Sequence, residues 1–227
     1  MIALALLFTC FAGWLALRPW LRAGPLVTLC VSFTAGAAAL SLQLLLYDLA
    51  RVPWGRAAVA APWLAFAALS FYRQRPKLPS LRWRRPGWIE CLALAFTAVV
   101  LAAWVPYERL MPLNEWDAVM LWMFKGKAFY LDGSVGPYLR RAPEFLGNAA
   151  YPLLVPLYST FLYLWIGEAA DHAAKILSPC FFASLLAGLY YFVRRFSSPP
   201  VAAVFAAMLP GVYMVDFTAF QIGRAHV

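Results

Sequence analysis

Residues 73 to 105 read RQRPKLPSLRWRRPGWIECLALAFTAVVLAAWV, and this stretch decides the class of fold. Its first half contains six basic residues and no acid, whereas the part from Ile89 to Val105 contains a single charged residue. A helix needs about 20 mostly apolar residues to cross the hydrocarbon layer of a bilayer, and about 17 are tolerated. Basic residues that flank such helices are retained in the cytoplasm. The stretch therefore predicts a cytoplasmic loop followed by a membrane-spanning helix. The six basic residues are Arg73, Arg75, Lys77, Arg82, Arg84 and Arg85.

The composition of the whole chain agrees with a membrane protein. Of its 227 residues, 64% are hydrophobic and only 13% are charged, which leaves too little polar surface for a soluble globular fold. A net charge of +9 would suggest nucleic-acid binding in a soluble protein. Here the basic residues stand in short clusters between apolar runs, so we expect membrane lipids as partners and no nucleic acid.

Seven apolar runs have the length of a membrane-spanning helix and are bounded by charged residues or proline. The sequence therefore predicts an all-α protein, a polytopic bundle of about seven spanning helices. Residues 1–72 form three helices at the start, residues 73–88 form the basic cytoplasmic loop, and residues 89–221 form the rest of the membrane region. The runs are Met1 to Leu17, Leu26 to Tyr47, Ala57 to Tyr72, Ile89 to Val105, Tyr151 to Gly167, Ile176 to Val193, and Val201 to about Gln221.

The side of the membrane on which each loop lies follows by alternation from the basic loop. Alternation places residues 48–56 and 106–150 outside and the turn at 168–175 inside. It also places Arg194 and Arg195 outside, although basic residues prefer the cytoplasmic side. Because the six-residue basic cluster outweighs this pair, we expect a multi-pass protein of the cytoplasmic membrane with loop 106–150 on the extracytoplasmic side.

The last six residues, IGRAHV from Ile222 to Val227, resemble an artefact. They can be back-translated as ATC GGA AGA GCA CAC GTC, which matches the start of a widely used sequencing adaptor. We therefore expect the natural gene to continue beyond this point. Without Arg224 and His226, His172 is the remaining histidine.

The outer loop at residues 106–150 contains five of the ten acids in the chain. From Trp116 its apolar residues recur with the period of an α-helix that has one apolar face. Lys125 and Lys127 lie within this helix, which makes it a poor candidate for crossing the bilayer. The pattern predicts an amphipathic interfacial helix that ends at Asp132 and Gly133.

Two sets of charged residues in this loop are open to two interpretations. Asp117 and Glu115 lie in the first turn of the predicted helix, where acids favour the positive helix end, but they could also accept a proton. The outer cations could reach lipid headgroups or could hold a phosphate. These cations are Lys125, Lys127, Arg140 and Arg141.

The loop also resembles a known family of enzymes. NEWDAVMLWMFKGKAFYLDG at residues 114–133 and AAYPLLVPLYSTFLYLWIG at residues 149–167 are similar to the outer loop and following helix of the GT-C glycosyltransferases. Within that superfamily the chain looks most like the branch of protein O-mannosyltransferases and the aminoarabinose transferase of lipid A. The resemblance begins at Ile89, so it implies that residues 89–221 are the start of a GT-C-like core.

What the resemblance implies is an inverting transferase that takes a sugar from a polyprenyl-phosphate donor. The acceptor would be a glycan, a lipid or a protein outside the membrane, and the chain by itself would be an inactive fragment. By position, Asp117 would be the catalytic base, and Glu115 would assist it or bind a divalent metal. Tyr151 would contact the substrate, and the four outer cations would stabilise the departing phosphate.

Two features of the sequence leave questions open beside this interpretation. Relatives often show His, Pro and Asp before the Tyr and Pro of the second motif, whereas this chain has Gly147, Asn148, Ala149 and Ala150. The identity of any metal site is therefore unknown. The alternative function is a transporter or lipid-handling protein without catalysis, for which an acid inside a spanning run is typical, and Asp216 is the candidate.

Overall fold

Ten helices and no strand make up the part of the chain that the computed structural model describes, residues 1–17, 25–73, 85–110, 122–141 and 152–224. At several helix ends, and from residue 213 onward, this description is limited to the backbone. The helices are α1 (Ile2–Leu17), α2 (Pro25–Leu49), α3 (Arg56–Arg73), α4 (Trp88–Leu110), α5 (Phe124–Asp132), α6 (Gly136–Arg141), α7 (Leu154–Ile166), α8 (Asp171–Ala174), α9 (Leu177–Val193) and α10 (Pro199–Arg224).

The prediction of an all-α fold is confirmed, since each of the seven apolar runs contains a helix. Three stretches within the described residues are long and apolar enough to cross a membrane: Val31–Leu49, Trp88–Pro106 and Asp171–Val193. In the other four runs, α1, α3 and α7 have 16, 18 and 13 residues, and α10 has 26, of which only Pro199–Val212 have described side chains. Seven crossings are therefore not established by length and composition.

The surface of the bundle is apolar and part of its interior is polar, which is the arrangement expected in lipid. Large apolar side chains such as Leu7, Leu92 and Val99 are 64%, 63% and 66% exposed. In contrast, Thr9 and Ser32 are fully buried. Exposed apolar patches of this extent mark a surface that contacts membrane or another protein.

Two glycines allow α1 and α2 to pack backbone against backbone. A Cβ at Gly13 would lie 1.8 Å from the carbonyl oxygen of Ser32, and a Cβ at Gly36 would lie 1.9 Å from that of Thr9. Such crossings of small residues spaced four apart are typical of helices that associate in membranes. This pair of helices forms the platform on which α7 packs.

Helix α7 occupies the centre of the bundle. Tyr158 and Phe161 are fully buried between α1 and α2. The Tyr158 hydroxyl lies 2.7 Å from Thr9 Oγ1, and its ring meets Phe33 edge to face at 5.8 Å. Because α7 is held on this side by α1 and α2, its opposite side is available to the outer-loop helix α5.

Candidate functional site

Helix α5 ends where the sequence predicts. Gly133 follows its last residue with φ of 60°, a left-handed conformation that glycine adopts without strain and that commonly ends helices. A short π-helical turn at Trp122 and Met123 precedes the helix. The predicted start at Trp116 lies outside the described residues.

Helix α5 packs directly on α7 through Gly126. A Cβ at this position would lie 3.0 Å from Ser159 Cβ and 3.2 Å from the carbonyl oxygen of Pro156, so a larger residue would separate the helices. Thr160 Oγ1 donates a hydrogen bond of 3.0 Å to the carbonyl oxygen of Gly126. The prediction that this helix lies on the bilayer surface is not confirmed, because its described part is held against the bundle.

Lys125 is buried, which the sequence did not predict. Its side chain is 0% exposed, and desolvation by burial lowers its pKa from the ordinary 10.5. Both interpretations of Lys125, extension to lipid headgroups and contact with a phosphate, require an exposed ammonium group, and the structure leaves this group buried. Burial disfavours the charged form of this ammonium group.

A second lysine, Lys127, is held by an ion pair on the other side of α5. Its Nζ lies 2.5 Å from Asp171 Oδ2, and the Tyr163 hydroxyl donates to Asp171 Oδ1 at 3.1 Å. Both carboxylate oxygens of Asp171 are therefore engaged. The pair joins α5 to the start of α8, while Tyr163 joins the same carboxylate to α7.

Asp48, near the end of α2, also holds the outer loop. Its Oδ1 accepts hydrogen bonds from Ser134 Oγ at 2.6 Å and from the backbone N–H of Val135 at 3.1 Å. This carboxylate fixes the turn between α5 and α6 to the end of α2. The described outer loop is thus tied to the bundle at both ends of α5.

The two arginines lie on α6, which contacts α5. Arg140 is exposed, and its guanidinium stands over the start of its own helix, 3.3 Å from where a Cβ of Gly136 would be. Within the described part of the chain, no carboxylate forms an ion pair with Arg140. Only the backbone of Arg141 is described. Burial raises the pKa of the neighbouring Tyr138 hydroxyl.

The predicted site residues therefore separate into two groups. Glu115, Asp117 and Tyr151 lie outside the described residues, so their predicted roles stay predictions. The structure brings Lys125 and Lys127 together on α5 in different surroundings, one buried and one in an ion pair, and places Arg140 on the adjacent α6.

One contact joins the outer loop to the turn at residues 168–175, two segments that alternation places on opposite sides of the membrane. Asp171 belongs to this turn and contacts Lys127 of the loop, so the two segments lie at the same end of the bundle. Asp171 and Tyr163 were not among the predicted site residues. The signal that could have found them was Arg194 and Arg195, whose outward placement already conflicted with the preference of basic residues for the cytoplasm.

No cluster of three or more His, Cys, Asp or Glu side chains that could hold a metal occurs among the residues with described side chains. Asp171 has both oxygens engaged by Lys127 and Tyr163. The two acids named for a divalent ion, Glu115 and Asp117, lie outside the described residues. The prediction of a metal therefore rests on the sequence resemblance.

Comparison with known proteins adds no family to these observations. No family model, no curated protein and no solved structure matches this chain. The functional argument therefore rests on its own residues and their contacts.

Proposed function

We propose that this protein is a glycosyltransferase of the cytoplasmic membrane that transfers a sugar from a polyprenyl-phosphate donor to an acceptor on the extracytoplasmic side. The observation that best supports the proposal is the anchoring of α5. This helix follows the acids Glu115 and Asp117, and it is fastened to the bundle by Gly126, Lys127 and the Asp48-bound turn. Catalysis requires reacting groups to be held in place, and an anchored loop supplies that.

The proposed reaction assigns one role to the acids and another to the cations. Asp117 removes the proton from the acceptor hydroxyl as its oxygen attacks the anomeric carbon of the sugar. The bond from that carbon to the phosphate oxygen breaks, the configuration inverts, and the polyprenyl phosphate leaves with the bonding electrons. Because negative charge grows on the leaving oxygen, fixed cations nearby lower the barrier.

The contacts of the cations indicate one role for Lys127 and another for Arg140 and Arg141 in this mechanism. Lys127 already pairs with Asp171, so its duty is to hold α5 in place. Arg140 is exposed and can reach a ligand, and a guanidinium binds phosphate through two parallel hydrogen bonds. We assign the donor phosphate to Arg140 and to its neighbour Arg141.

The distribution of charge in the three long spans favours an enzyme over the alternative of a transporter, whose candidate residue Asp216 lies in α10, where only its backbone is described. A transporter typically carries charged groups near the middle of its spanning helices. In the three long spans that the structure describes, the charged residues are confined to the helix ends: Asp48 at the end of the first, Glu90 at the start of the second, and Asp171 and Lys175 at the start of the third.

The experiment that tests the proposal measures sugar transfer from a lipid-linked donor by the full-length protein in membranes. Replacing Arg140 and Arg141 by Gln is expected to raise the KM for the donor, because each lost charged contact is worth about 1.5 to 3 kcal/mol, roughly a factor of ten or more. The KM for the acceptor is expected to stay the same. Arg195→Gln is the matched control, since Arg195 is exposed at the far end of α9 and packs over Tyr191. Equal losses for donor and acceptor would contradict the assignment.

A further inference from the structure

We infer that α7 is a re-entrant helix, which dips into the membrane and returns to the side from which the chain came, so that Asp171 lies on the same face as the outer loop. The inference rests on contacts along α7, at α8 and along α9. Two ends of the bundle serve as references: the Asp48 end, where α2 ends, and the Arg85 end, where α4 begins.

The start of α7 lies closer to the middle of α2 than to the Asp48 end. Ser41 Oγ donates a hydrogen bond of 3.1 Å to the carbonyl oxygen of Leu154, the first residue of α7. Ser41 precedes the end of α2 at Leu49 by eight residues, which corresponds to about 12 Å along the helix. Helix α7 therefore begins well below the Asp48 end.

The last turn of α7 lies near the Asp48 end. Arg56 Nε donates a hydrogen bond of 2.7 Å to the carbonyl oxygen of Leu164. Arg56 begins α3, and the same first turn of α3 is fastened to α2, where the Tyr47 hydroxyl donates to the carbonyl oxygen of Ala58 at 2.8 Å. Tyr158, between these two residues, reaches Phe33 and Thr9 near the middle of α2 and α1, so α7 does not run on from Leu154 to the Arg85 end.

The turn that follows α7 stays at this end. Asp171 pairs with Lys127 of α5, and the turn after α5 is bound to Asp48 through Ser134. Lys127 and Ser134 are seven residues apart, about 10 Å if the segment were a continuous helix. If α7 crossed the bilayer, Asp171 would lie about 30 Å from the outer loop, and the ion pair could not form.

The direction of α9 agrees with this placement. Glu90 near the start of α4 lies beside Tyr190 near the end of α9, with Glu90 Oε1 3.4 Å from the Tyr190 hydroxyl. Trp104 near the end of α4 meets Phe182 near the start of α9, with ring centroids 5.0 Å apart. The two helices are therefore antiparallel, so α9 begins at the end where α4 finishes.

Length and charge support the same topology. Helix α7 has 13 residues, about 20 Å, which is short of the roughly 30 Å hydrocarbon layer. With α7 re-entrant, α9 ends at the Arg85 end, and Arg194 and Arg195 join the basic loop on one side of the membrane. The conflict with the preference of basic residues for the cytoplasm disappears. The chain then crosses the membrane six times, through α1, α2, α3, α4, α9 and α10.

This topology adds one residue to the site and rests on the proposed function only for that step. Asp171 becomes a positioning residue of the extracytoplasmic site, because it sets Lys127 and, through it, the helix that follows Asp117. The topology itself is independent of any enzymatic activity and can fail or hold separately.

The test is labelling of single cysteines by an impermeant thiol reagent in intact cells, in a background with the four native cysteines replaced by Ser. Cysteines replace Asp132 in the outer loop, His172 in the turn after α7, and Ser198 after α9, all of which are exposed. We expect positions 132 and 172 to be labelled and position 198 to be shielded. Glu168→Cys reads the same turn if His172→Cys does not insert.

The pattern of the three positions separates the inference from the proposed function. Labelling of only one of the two positions 132 and 172 would overturn re-entrance, whatever the result at position 198. Shielding of both 132 and 172 with labelling of 198 would support re-entrance but would place the outer loop in the cytoplasm and overturn the proposed extracytoplasmic transfer.

Discussion

Replacing Gly126 by Ala tests whether the packing of α5 on α7 is as close as the contacts indicate. In a helix this change ordinarily stabilises by about 1 kcal/mol, because glycine has more backbone freedom to lose. At Gly126 the new methyl would meet Ser159 Cβ at 3.0 Å and the Pro156 carbonyl oxygen at 3.2 Å. Both atoms belong to the segment around α7, so α5 and α7 must separate by a few tenths of an ångström, and such overpacking typically costs about 1 to 3 kcal/mol.

The matched control is Gly188→Ala, which makes the same change in helix α9. No atom lies within 4 Å of where its methyl would be, so this variant keeps the gain in helix propensity without a clash. The difference between the two variants isolates the overpacking cost, about 1 to 3 kcal/mol. At about 2 to 4 °C per kcal/mol for a chain of this size, Gly126→Ala should unfold about 2 to 12 °C below Gly188→Ala.

Thermal unfolding in detergent measures both variants against the native protein. We expect Gly188→Ala to unfold at or slightly above the native temperature and Gly126→Ala to unfold below its control. If Gly126→Ala unfolds at or above the temperature of Gly188→Ala, α5 does not pack against α7 as described. The anchoring of the outer loop, on which the proposed function depends, would then be refuted.

Two further predictions concern the lysines of α5. A double-mutant cycle with Lys127→Met and Asp171→Asn should give a coupling free energy of about 1 kcal/mol, because the two side chains are partly exposed at 38% and 31%. A coupling below about 0.2 kcal/mol would show that the ion pair does not hold the helix. Burial lowers the folded-state pKa of Lys125 below 10.5, so the unfolded protein binds more protons and the free energy of unfolding should rise with pH up to about 10.5. This rise should be missing in Lys125→Met when unfolding temperatures are compared at neutral pH and near pH 10, and identical pH dependence in the two proteins would show that Lys125 is exposed.

The helices could be predicted from the sequence because the bilayer imposes a length on every crossing. Each apolar run contains a helix, and the end of α5 at Asp132 and Gly133 follows from ordinary helix-stop chemistry. These features depend on the local sequence and on the lipid environment, and both are known without a structure.

The direction of α7 could not be predicted from length and composition. The run from Tyr151 to Gly167 is as apolar as a spanning helix, and the hydrogen bond from Ser41 to Leu154 appears only when the helices are assembled. The burial of Lys125 escaped prediction for a similar reason. Helical spacing indicates which residues share a face, but not which neighbour covers that face.

The most direct test of the proposed function is sugar transfer by the full-length protein and by its Asp117→Asn variant at matched expression. A positioned base is typically worth about 10² to 10⁴ in rate, and Asn keeps the size and the capping oxygen of Asp, so the protein should insert normally. We expect the variant to lose at least about 99% of its transfer from a polyprenyl-phosphate-linked sugar. If the variant retains more than about a tenth of the native activity, Asp117 is not the base and the account of this loop as a catalytic site is contradicted.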